Sequence, residues 1–173
     1  MSRSYALLPL SILLIGALHA QEGDEQAVRD RSLDKRRSLL QQQPTHQALF
    51  DSYFKMLVTS NVVAEETRAL RDKLAKDKAD TAASIILGRI LLRTGKDEEA
   101  LEILDAIPNK TAEIQGVLGD IYLKLTRFDL ATRALEASMP AARTAEAKAG
   151  VLEKLGKAQL ALKKKDTALA TWR

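Results

Sequence analysis

The sequence predicts an all-α protein built of antiparallel helix hairpins, and three observations carry that reading. First, a Leu-Gly pair, an Ala and a large apolar residue recur three times in one frame. The copies are Leu87-Gly88…Ala100…Leu104, Leu118-Gly119…Ala131…Leu135 and Leu155-Gly156…Ala168…Trp172. The step from Gly to Ala is constant, whereas the step from one Gly to the next runs 88 to 119 and then 119 to 156. A fixed inner frame with variable joints is the mark of a repeat array. Second, apolar residues around each copy recur every three or four positions, as in Ile114, Val117, Leu118, Ile121, Tyr122 and Leu125, which is helical spacing. Third, Ala and Leu dominate while aromatics make up 4% of the chain, a composition that favours helices over strands.

Taken in order, residues 1–20 carry Arg3, an apolar stretch from Ala6 to Leu18, and small residues at Gly16, Ala17 and Ala20. A polar run, Gln21-Glu22-Gly23-Asp24-Glu25, follows at once. This pattern predicts a secretory signal cleaved after Ala20 and hence an exported chain, periplasmic or secreted. The apolar run falls short of the roughly 20 residues that span a bilayer. Residues 21–44 predict a polar, solvent-facing helix over about 25–42, loosely docked, with a thin stripe of Val28, Leu33, Leu39 and Leu40. Pro44 ends it and Thr45 is placed to cap the next element. From 45 to 173 a single helical repeat domain is expected. Its first unit, 45–78, is a degenerate hairpin in which Phe50, Tyr53, Phe54 and Leu57 form a strong face and Thr59-Ser60-Asn61 turns the chain. The clean repeats cover 81–108, 112–140 and 149–173. Asp97 and Asp166 suit N-caps of the second helices. Gly88 with Ala100, Gly119 with Ala131 and Gly156 with Ala168 are the small pairs that let two helices cross closely.

These residues resemble the tetratricopeptide repeat family. Leu87, Gly88, Leu91, Gly95, Ala100, Leu104 and Pro108 match its pattern in the first copy. Leu118, Gly119, Tyr122, Ala131, Leu135 and Pro140 match in the second, and Leu155, Gly156, Ala168 and Trp172 in the third. The departures are Gln159 at a large apolar position, and Thr126 and Lys163 where the turn Gly stands. The resemblance implies a right-handed solenoid of stacked hairpins, with the first helix of each repeat lining a concave groove that holds a peptide or helix. It places Arg89, Arg93, Asp120, Lys124, Glu153 and Lys157 on that groove. The family's clamp for a C-terminal carboxylate uses Asn directly after the Gly. Arg89, Asp120 and Lys157 stand there instead, so the clamp does not carry over.

Other functional classes find little support. No Cys is present, so disulfide frameworks and thiolate metal sites are excluded. His46 is the one histidine after the signal, and beside a helix start it reads as a capping residue. Glu65-Glu66 and Glu98-Glu99 lie in helix first turns, where they favour the helix dipole. No nucleophile motif or phosphate loop appears. A net charge of +4, from 27 basic and 23 acidic residues, is too balanced for a nucleic-acid binder. The expectation is a non-enzyme without cofactor or metal, binding another protein or an acidic or mixed peptide segment through the groove. Lys163-Lys164-Lys165 reads first as a solvated turn and second as a contact for anionic lipid, which together with an uncleaved signal would make a membrane-surface protein. Trp172, with only Arg173 after it, leaves the last repeat uncapped. That end suggests self-association, or an adaptor module of a larger envelope protein.

Overall fold

The computed structural model describes residues 27–172, so the expected signal falls outside the described residues. Helix α1 covers 27–42. It is followed by α2 (Gln47–Thr59), α3 (Val63–Lys76), α4 (Thr81–Arg93), α5 (Asp97–Asp105), α6 (Ala112–Lys124) and α7 (Phe128–Ser138). A 3-10 turn (Met139–Ala141), α8 (Ala145–Ala161) and α9 (Lys165–Thr171) complete the order. There is no strand among the described residues. No helix there is long and apolar enough to cross a membrane.

The repeat frame is a steric device. A methyl group added at Gly88 would lie 2.6 Å from Leu104 Cγ, and one at Gly119 would lie 2.8 Å from Leu135 Cγ. At Gly156 it would strike the Trp172 ring. The space opened by each Gly is therefore filled by the large residue of the second helix, and the invariant Ala lies fully buried beside it at Ala100, Ala131 and Ala168. The sequence pairing of Gly with Ala is corrected accordingly: Gly receives the large side chain as a peg.

Each hairpin turns on one residue in the left-handed region: Asn61 (φ 56°), Gly95 (φ 78°), Thr126 (φ 55°) and Lys163 (φ 61°). The next amide reaches back five residues, from Val62 to Leu57 O, Lys96 to Leu91 O, Arg127 to Tyr122 O and Lys164 to Gln159 O. These are Schellman closures, which satisfy the last carbonyls of one helix and launch the next. The second helices α5 and α9 consequently begin with no side-chain cap, and Asp97 and Asp166 sit in their first turns rather than capping. The first helices are the capped ones, by His46, Asp80, Thr111 and Thr144. His46 takes the place foreseen for Thr45, its Nδ1 accepting from the Leu49 amide at 3.2 Å. Thr126 is β-branched and strained at positive φ. Thr126→Gly is expected to raise the unfolding free energy by roughly 1 kcal/mol, measured by urea denaturation.

Helix α1 is firmly seated, unlike the loose helix expected. Leu33 and Leu40 are buried in the common core while Val28 and Leu39 face water. Arg37 donates to Glu66 through Nε (3.1 Å) and Nη2 (2.7 Å), and the Tyr53 hydroxyl donates to the same carboxylate. Counting back from the turn residue Asn61, Tyr53-Phe54 stand at the Leu-Gly positions and Glu66 at the Ala position. The first hairpin thus replaces the small pair with bulk and charge, and α1 supplies the compensating cation.

Candidate functional site

The first helices α2, α4, α6 and α8 stand side by side, and their inner faces enclose the groove. Thr45 and Gln47, at the start of α2, line the same cavity as Val151 and Lys154 of α8. The row therefore curves enough to bring its first and fourth members around one space. That cavity measures about 280 Å³; the small residues Ala112, Gly116, Ala142 and Ala147 line it, and Leu135 and Ser138 of α7 wall it on the side away from α2. A smaller cavity of about 130 Å³ continues from it between α2, α4 and α6, lined by Phe50, Leu92, Arg89 and Arg93. Both share Gln47, Val117 and Asp120, so the groove is one channel with two ends.

The residues placed here from sequence are all present on these helices, but most are engaged with neighbouring helices. Arg89 is corrected most: it is 4% exposed, not a free groove cation. It donates to Pro44 O (2.8 Å) and Gln47 Oε1 (2.7 Å), and its guanidinium lies 4.0 Å from the Phe50 ring centre. Burial depresses its pKa to about 10, partly offset by the field of Asp51. Arg93 pairs with Asp51 at 2.8 Å and covers Phe54. Asp120 meets Lys154 Nζ at 2.6 Å from Oδ1 and 2.9 Å from Oδ2. The ammonium is directed at Oδ2, so Oδ1 is charge-neutralised yet makes no hydrogen bond of good geometry. Lys124 donates to Leu92 O at 2.8 Å and pairs with Asp97 at 3.3 Å. Glu153 and Lys157 pair with each other one turn apart, both well exposed.

Asp51–Arg93 and Asp120–Lys154 are rungs between successive first helices, joining α2 to α4 and α6 to α8. Each is half-exposed, so each contributes at most about 1 kcal/mol and serves register more than stability. The acidic first turn of α5 works the same way on the outer side. Glu98 pairs with Arg127 and Glu99 with Arg71, beyond the dipole role expected of them. Glu66 departs further from that expectation, being 5% exposed and bound to Arg37 and Tyr53. Gln159 is buried too and its Oε1 accepts from the Thr171 hydroxyl at 2.8 Å, which accounts for a polar residue at an apolar repeat position.

Sequence reasoning missed Gly116, Val117, Ala142, Ala147, Val151 and Lys154. The signal for Gly116 and Ala147 was smallness on α6 and α8, which helical spacing alone does not separate from core; Ala142 lies between the 3-10 turn and α8, and Lys154 looks like any solvated helix charge.

Residues 67–116 match the family described as Tetratricopeptide repeat. No curated protein matches the chain. Solved structures of MamA share the fold. One crystal structure of a MamA protein has 16% identity and a TM-score of 0.60, covering 88% of this chain and 83% of that one. A second has 16% identity and a TM-score of 0.61, covering 87% and 88%. MamA from residue 41 onward of Desulfovibrio magneticus RS-1 has 14% identity and a TM-score of 0.60, covering 90% and 88%. At these identities the likeness is one of fold alone.

Proposed function

Because this chain is a tetratricopeptide-repeat protein, matched to that family over residues 67–116, we propose that it is an exported, non-catalytic scaffold that holds a segment of another protein in its concave groove. The observation that carries the reading is the channel shared by α2, α4, α6 and α8. Small residues and the charged Glu113, Asp120 and Lys154 line it, and its larger end offers about 280 Å³ to a partner. Such a shape binds by burying an anchor side chain in a preformed hollow. No covalent step and no cofactor is needed for this role.

The test is a photo-crosslinking amino acid placed at Val151, inside the groove, and separately at Glu136, exposed on α7. A discrete adduct with another protein from position 151, absent from position 136, is the expected result. Equal labelling from both positions, or none from 151, removes the groove from consideration. The reversal of Arg89, Arg93 and Lys124 to Glu is a poorer test, because it would break contacts that hold α4 to its neighbours. Export is supported by Arg3, the apolar run and the small residues before Gln21. Mass spectrometry of the mature protein is expected to find Gln21 at its N-terminus, and an intact Met1 would overturn export by cleavage.

A further inference from the structure

Resting on that reading, we infer that the groove accepts a segment presenting a side-chain carboxylate and a large apolar side chain on one face, the carboxylate at Arg89 and the apolar group over Gly116. The argument begins with charge. Within the groove, Arg93 is answered by Asp51 and Asp120 by Lys154. Arg89 contacts only neutral groups, Pro44 O, Gln47 Oε1 and the Phe50 ring, while Asp51 and Asp120 act on it through space without touching it. Among the described residues no carboxylate lies within ion-pair distance of it. A guanidinium offers five N–H donors, and two are used here. Arg89 is thus a buried cation without a contacting anion, an arrangement that costs free energy until an anion arrives. It lines the smaller cavity beside Arg93, so an entering carboxylate meets two guanidinium groups. Asp120 at the junction is held by Lys154, which removes most of its opposition to an acid. Glu113, on the rim of the larger cavity, is exposed to water.

The second anchor follows from volume. An empty apolar cavity of about 150 Å³ accommodates benzene, and the larger cavity here, near 280 Å³, has space for a Leu or Phe side chain. Gly116 keeps that space open. A methyl group there would meet only Ser138, at 3.5 Å, so the helix tolerates a side chain while the cavity loses room.

The test uses the purified full chain and phage-displayed random dodecapeptides. Enriched peptides are synthesised and their affinities read by fluorescence anisotropy. The expected result is enrichment for an Asp or Glu together with Leu, Ile, Phe or Met. Exchanging the acid for its amide is expected to weaken binding about tenfold or more. Gly116→Leu should weaken the same peptides with unchanged helical circular dichroism, and Arg89→Met should abolish the preference for acid over amide. The peptide-side exchange keeps the result readable if Arg89→Met does not fold. Peptides blocked by Gly116→Leu but indifferent to the exchange overturn this inference and leave the groove reading standing. Peptides indifferent to both changes, or no enrichment over the naive library, overturn both.

Discussion

Glu66→Ala is expected to lower the unfolding free energy by about 3 kcal/mol and to detach α1 from the array. The carboxylate is buried and takes hydrogen bonds from Arg37 and from Tyr53, itself fully buried. Removing one member of a buried ionic set costs about 3–5 kcal/mol because the remaining members lose their partner. The Arg37 side chain is 34% exposed, so water recovers part of its loss and the lower end of that range applies. The Tyr53 hydroxyl has no such recourse. Burial, and next its bond to Glu66, already hold that phenol well above the ordinary tyrosine range. Urea denaturation gives the free energy. Hydrogen exchange over residues 27–42 separates this account from a general weakening. Faster exchange confined to α1 and α3 is the expected pattern, and uniform acceleration through α9 would contradict it.

The second large effect concerns the peg contact in the middle repeat. Leu135→Ala should cost about 2–5 kcal/mol, since the residue is 1% exposed and its loss leaves a cavity over Gly119. Gly119→Ala alone should cost up to about 2 kcal/mol. Overpacking costs about 1–3 kcal/mol, and the gain in helix propensity, near 1 kcal/mol, offsets part of it. The two are coupled in sign. With Leu135 truncated, the methyl group at 119 enters vacated space, so Gly119→Ala should then stabilise. Gly150→Ala is the control. Nothing lies within 4 Å of that position, and the propensity gain should appear undiminished. Thermal or urea denaturation of the four-variant cycle reads the result, and strict additivity would refute the peg.

How much of this was legible depends on whether a feature is repeated. The Gly, Ala and large-residue frame stands out because the same short-range steric problem is solved three times. The turn positions are legible too, with Gly95 explicit, Thr126 and Lys163 found by counting seven residues on from the frame, and Asn61 read from the polar run Thr59-Ser60-Asn61. Glu66 was read as a first-turn carboxylate because locally it looks like Glu98 or Glu99. Its burial is created by Arg37 on α1, and no periodic signal links positions that far apart. The usable clue was a charged residue falling on the Ala position once Asn61 fixes the frame. Arg89 misled for a related reason. Its place in the repeat points it into the groove, but the start of α2 folds over it, and that cover depends on the curvature of the row. The small residues around Gly116 were silent, since an empty space leaves no mark in a hydrophobic pattern.

The uneven spacing between repeats has a consequence for how such a chain can change over evolutionary time. The middle repeat is separated from the last by six residues more than from the first, 37 against 31. The surplus is taken up by α8, which has 17 residues where α4 and α6 have 13, and by α7, which has 11 where α5 has 9; the stretches 106–111 and 139–144 between the helices are equal in length. Both peg contacts flanking that junction keep their register. Length variation is thus absorbed in the helix ends that face the junction, beyond the peg contacts, so an added turn there alters the pitch of the array and leaves each module's Gly-to-large-residue packing untouched.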